Sequence, residues 1–267
     1  MKLLITIIIG AIIILFFLFK QKKEEVIEKE KETKLHLEKN KDSIEVLSHA
    51  DYNIIFENTI VENIPIEVLE IGNLNVPSEQ IVVCDPLVFY DVKPLVKKIK
   101  PGVYPVKIYV AKTEYSGDRF AIAKLEITDN KAVKWILATT ADQDLNTLQS
   151  KDEYFGFPVD AGLGGFLDYK TALAYERFCN DFHKKYPNKN IYDDFFAAEF
   201  KKNAKDQNDP NDIGDWINYT LPNTDLNITM FHSGYGDGYY PAYWGIDKNG
   251  NVSSLVIDFF VLLSGEE

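Results

Sequence analysis

The sequence predicts an α+β fold: a mostly antiparallel, sandwich-like β assembly with two helices, preceded by an N-terminal transmembrane helix. Three observations predict it. Leu3–Phe19 is apolar and uncharged throughout. Beyond Tyr52 the chain becomes a series of short apolar or alternating runs broken by turn residues, the pattern of half-buried strands. Helical periodicity interrupts that series in only one stretch, so strand and helix do not alternate as a doubly wound parallel sheet requires.

The N-terminal run, LLITIIIGAIIILFFLF, comes first. At about 1.5 Å per residue it spans roughly 25 Å, near the short limit for a bilayer core. A cleaved signal peptide would end in small residues, whereas this run ends in Phe-Leu-Phe and then Lys20, Lys22 and Lys23. Residues 1–20 therefore read as an uncleaved single-pass anchor, with the membrane as a partner through residues 3–19. The three lysines after the run outweigh Lys2 and the α-amine before it, which leans the following domain towards the cytoplasm.

Residues 21–50 are dominated by Glu and Lys, with opposite charges three or four apart, as in Glu25 with Lys29 and Glu30 with Lys34. Such spacing supports a solvated helix. Apolar residues are too sparse for a coiled-coil seam, so the segment reads as a charged stalk.

Residues 51–267 form the globular domain. Strands are expected at Ile66–Ile71, Gln80–Cys84, Val106–Lys112, Phe120–Thr128, Val133–Thr139, Trp216–Thr220, Leu226–Phe231, Ala242–Ile246 and Val252–Leu262. The Asp247-Lys-Asn-Gly250 step between the last two is a hairpin signal, because Asn-Gly accommodates positive φ. Helices are expected at Tyr169–Tyr186, with Asp168 placed to cap its start, and at Tyr192–Lys205. A short pattern occurs twice, Gly102-Val-Tyr104-Pro105 and Gly238-Tyr-Tyr240-Pro241, each leading into a strand.

The formal charge of −12 falls wholly beyond Ala50, since the first fifty residues carry a slight positive excess. An acidic domain repels phosphate backbones, which excludes nucleic acid as a partner; a basic protein surface or a cation suits it better. Two cysteines, Cys84 and Cys179, form no metal-binding spacing and read as ordinary buried thiols. Neither a cofactor motif, a Gly-x-Ser-x-Gly elbow nor an HExxH pair is present.

The densest constellation of polar and aromatic residues is His232-Ser-Gly-Tyr-Gly-Asp237-Gly-Tyr-Tyr240-Pro241. Its glycines open backbone shapes closed to other residues, and its tyrosines combine apolar bodies with polar tips, as a binding surface needs. The same residues suit a bulged strand junction, the commoner use. A phosphate loop is excluded because a proline and a strand follow, where a helix N-terminus is required. Asp160 in Val159-Asp-Ala-Gly162, together with Asp168, adds carboxylates that could join His232 and Asp237 in an acid–base or metal-binding group. Turns and helix caps are the alternative employment of both.

On these residues the chain resembles the bacterial family catalogued as domain of unknown function 4241. The likeness lies in Pro77, Asp85-Pro86, Gly102-x-Tyr104-Pro105, Ser116-Gly-Asp-Arg119, Trp135, Val159-Asp-Ala-Gly162, Asp168, the Ser233–Pro241 loop, Gly245 and Asp258-Phe259. It extends from about Pro77 to Phe260 and implies a shared fold unit without a reaction. The leading functional expectation is a membrane-tethered binding or interaction module with a possible protein partner, using Asp160, Asp168, His232, Asp237 and Tyr240. The rival is a hydrolase or metal-dependent enzyme built on the Asp/His cluster.

Overall fold

The computed structural model describes residues 45–88, 92–150 and 152–263. The anchor and nearly all of the stalk lie outside these residues. The domain begins at Val46, slightly earlier than the sequence reading places it. Val46–Ser48 already belongs to it: the Leu137 amide donates to the Val46 carbonyl at 2.8 Å and the Ser48 amide to that of Trp135 at 2.9 Å.

Among the described residues every strand pairing is antiparallel. The strands are β1 (Ile60–Val61), β2 (Ile64–Val76), β3 (Ile81–Cys84), β4 (Gly102–Thr113), β5 (Gly117–Glu126), β6 (Ala132–Leu137), β7 (Phe157–Val159), β8 (Leu163–Asp168), β9 (Trp216–Thr220), β10 (Asn227–His232), β11 (Gly238–Tyr240), β12 (Ala242–Asp247) and β13 (Val252–Asp258). A seven-stranded sheet has the order β1-β2-β4-β5-β13-β12-β6, a four-stranded sheet has β3-β8-β10-β9, and β7 pairs with β11. The helices are α1 (Asn53–Glu57), α2 (Tyr169–Lys185) and α3 (Ala197–Lys201), the last entered through a π-helical turn at Tyr192–Phe196. The expected α+β character and antiparallel pairing are thus present.

Alternation along the strands sorts their side chains into three apolar layers. Inward residues of both sheets share the central core, among them Ile108, Leu125, Trp244, Ile257, Phe166 and Phe231. The opposite face of the small sheet, with Val82, Leu167, Ile228 and Met230, buries the aromatic stripe Tyr175, Phe196 and Phe200 of the α2–α3 region. The opposite face of the large sheet, with Tyr109, Trp135, Tyr243 and Val256, is covered by Tyr52 and Ile55.

Strand β8, central in the small sheet, is absent from the sequence reading because Gly164 and Gly165 break its apolar pattern. Both are demanded by close approach. A Cβ on Gly165 would lie 2.5 Å from Pro86, and one on Gly164 would lie 2.9 Å from the Phe259 ring. The second helix is shorter than expected, ending at Lys201, and the last strand stops at Asp258 instead of Leu262. The 247–250 hairpin is present as read: Asp247 Oδ1 accepts from the Asn249 and Asn251 amides at 2.9 and 2.8 Å, and Gly250 takes φ +81°.

The repeated Gly-x-Tyr-Pro pattern is one local structure used twice. The Tyr104 hydroxyl donates to the Lys100 carbonyl at 2.6 Å and that of Tyr240 to the Gly236 carbonyl at 2.9 Å, each four residues upstream. Each ring folds back over the glycine two residues before it, where a Cβ would stand 2.9 Å from the ring. A tyrosine pinning its own approach loop in this way is a device of strand corners in β folds. Because Tyr240 is buried, Tyr240→Phe should cost about 1 kcal/mol, the usual net worth of such a bond, in urea unfolding. Tyr104→Phe should cost less, since water replaces the lost partner there.

Candidate functional site

The sequence-predicted residues have different local partners, although the pairing of Gly238 with Val159 and the Ser233 amide's bond to the Gly162 carbonyl at 3.0 Å bring the segments of Asp237, Asp160 and His232 side by side. Asp168 is fully buried: Oδ1 accepts from the Lys170 amide at 2.8 Å, capping α2, and Oδ2 accepts from the Ser78 amide and hydroxyl at 2.8 and 2.7 Å. Asp160 is exposed, and its amide, with that of Ala161, donates to Asp85 Oδ2 at 3.1 and 2.7 Å. Asp85, only 1% exposed, is therefore the carboxylate that shapes the Val-Asp-Ala-Gly loop. His232 sits between the Phe120 and Phe200 rings, with Nδ1 3.3 Å from Asp215 Oδ1; the ring holds Asp215 below the usual carboxylate range. Asp237 is exposed on the glycine loop. Among the described residues no three His, Cys, Asp or Glu side chains are grouped as ligands of one metal ion. Cys84 and Cys179 are free thiols; burial pushes both up, Cys179 to about 11.

The glycine loop does meet one concave surface. Tyr239 stacks on Tyr154, with ring centroids 6.1 Å apart, and the Tyr154 hydroxyl donates to the Tyr239 carbonyl at 3.2 Å. Tyr154 and Tyr240 both pack on Phe260, at 5.5 and 6.0 Å. Tyr154 and Phe260 form part of the wall of a cleft of about 420 Å³, completed by the Val46–Ala50 segment, Tyr243 and Asp258.

Asp258 lies at the end of β13 and is 4% exposed. Its neighbour Phe259 turns the other way, into the central core against Phe231 and Tyr240. The pair thus fixes a carboxylate beneath the cleft by anchoring the next side chain in the core. Oδ1 accepts from the Phe260 amide at 2.8 Å and Oδ2 from the Tyr52 hydroxyl at 2.8 Å, which in turn accepts from Ser48 Oγ at 3.0 Å. Burial pushes the Asp258 carboxyl up to about 6, against the pull of those two donors. Burial and the Asp258 charge likewise push the Tyr52 and Tyr243 phenols up. A displaced carboxyl beside a cleft is the kind of group around which sites are built.

Asp258 enters the sequence reading only as part of the family likeness, with no role assigned; Tyr52 as its partner, and the cleft, are missing there. Their signal is weak there: Asp258 stands inside an apolar run that reads as strand, and the walls come from four segments distant in sequence.

A family model described as "Protein of unknown function (DUF4241)" matches residues 74–257. No curated protein and no solved structure matches the chain. The matched span runs from the last residues of β2 to Ile257 in β13 and so carries most of the strands that support the cleft, while the wall from residues 46–52 precedes it and Asp258 and Phe260 follow it.

Proposed function

The chain belongs to the DUF4241 family of proteins of unknown function, which brings no reaction with it, and from its own geometry we propose a membrane-tethered binding module whose ligand enters the cleft above Asp258. The observation that carries the reading is a buried ionisable carboxyl at the floor of an aromatic-walled cleft, bordered by the glycine-rich loop. Aromatic walls supply contact area at small entropic cost and a few polar groups fix orientation, the division of labour in ligand sites. The uncharged Leu3–Phe19 run supports the tether; among the described residues no helix is long and apolar enough to cross a membrane. The lysines after the run place the domain on the cytoplasmic face in this proposal.

Two measurements test it. Full-length protein should stay in the membrane pellet through carbonate extraction, and a variant lacking Leu3–Phe19 should be released; wild type in the wash rejects the tether. A photoreactive phenylalanine at position 154 should capture adducts in cells that the same group at Tyr115, 93% exposed, does not. Identical adducts from both positions reject the cleft as the binding surface.

A further inference from the structure

The ligand of the Asp258 cleft has a chemical class that the cleft itself indicates and, resting on the reading above, we infer that it bears an ammonium cation. The described lining residues include three carboxylates, Asp152, Glu153 and Asp258, and neither lysine nor arginine. Two of those carboxylates are exposed to solvent: Asp152 lies 3.5 Å from His49 Nε2, and Glu153 accepts from the Gln149 amide at 2.6 Å. Asp258 differs. Its donors, the Tyr52 hydroxyl and the Phe260 amide, are both neutral, and His49 is the one basic side chain among the described residues lining the cleft.

An ionised carboxylate accepts about four hydrogen bonds, and this one is given two. A buried charge without a counter-ion is costly, and the cost is relieved by whatever brings the opposite sign into the same low-dielectric space. The walls favour the same chemistry. Tyr154, Tyr243 and Phe260 line the cleft, and aromatic faces attract cations through the ring quadrupole. An anion meets three like charges there; a neutral apolar ligand leaves the Asp258 charge unanswered.

The test uses the full-length protein in detergent, titrated calorimetrically at pH 7.5 and constant ionic strength with choline, with n-butylammonium, and with 3,3-dimethylbutan-1-ol, the neutral counterpart of choline. The ammonium probes should bind saturably, the alcohol at least tenfold more weakly. Asp258→Asn should weaken the ammonium probes at least tenfold and leave the alcohol unchanged. Equal affinity for alcohol and choline overturns the cationic class while keeping the cleft as a binding site. Saturable ammonium binding that Asp258→Asn does not change overturns the role of Asp258. Absence of saturable binding by both ammonium probes also overturns the inference, and the crosslinking result at position 154 then decides separately whether the cleft binds anything.

Discussion

Asp168→Ala is expected to lower the stability of the domain by about 3 kcal/mol, seen as a fall of roughly 6–12 °C in thermal midpoint for a domain of this size. The carboxylate is fully buried and serves three donors: the first-turn amide of α2 at Lys170, and the amide and hydroxyl of Ser78 before β3. Hydrogen bonds to a charged acceptor are each worth about 1.5–3 kcal/mol, and a lost N-cap about 1 kcal/mol. The variant leaves these donors without their partner close to the strands that carry Ile81 and Leu167. Asp168→Asn should cost about half as much, because its amide oxygen keeps one side of the arrangement and its nitrogen can donate to the Ser78 hydroxyl. Wild-type stability for Asp168→Ala in denaturant titration would sink the capping account. It would also return Asp168 to the list of groups available for chemistry.

The local role of Asp168 is legible in the sequence, since an aspartate just before a helical pattern is a cap signal. The same holds wherever one segment contains the whole structure: the Asp247–Gly250 turn, the two Gly-x-Tyr-Pro corners, and the antiparallel strands with clear alternation. Legibility fails where the reason for a residue lies elsewhere in the chain. Gly164 and Gly165 look like breakers, and only the nearness of Phe259 and Pro86 explains their place in a central strand. Asp85 looks like the end of a strand, yet its carboxylate organises a loop 75 residues away. The segments of His232, Asp237 and Asp160 lie side by side only through the β8–β10 and β7–β11 pairings, which no single segment announces. Tyr52 and Asp258 are 206 residues apart and share the hydrogen bond on which the cleft is built.

That bond gives the second large effect, with the opposite sign. Asp258→Asn should stabilise the unliganded protein at pH 8 by about 2–3 kcal/mol and leave it nearly unchanged at pH 4. Burial raises the folded-state carboxyl to about 6, from 3.8. An acid that binds its proton more tightly when folded disfavours folding once ionised. The penalty is absent below pH 4, grows as pH rises through 4 to 6, and is fully present above, at about 1.4 kcal/mol for each pH unit separating the folded and unfolded values. Asparagine removes it without orphaning neighbours. Its oxygen keeps the Phe260 amide, its nitrogen donates to the Tyr52 oxygen, and the Tyr52 hydroxyl turns to Ser48. Other carboxylates shift the opposite way, Asp118 and Asp215 among them, held low by Lys112 and Lys205 in the one case and by His232 in the other, so their stabilisation is lost only as pH falls through and below the ordinary carboxylate range. They are common to both proteins, so the difference between variant and wild type across pH isolates Asp258. Parallel stability curves from pH 4 to pH 8 would mean that the carboxyl titrates normally and the cleft holds no stored charge. A gain at pH 8 accompanied by loss of ammonium binding has one physical reading: the protein keeps a destabilising carboxylate because its ligand neutralises it.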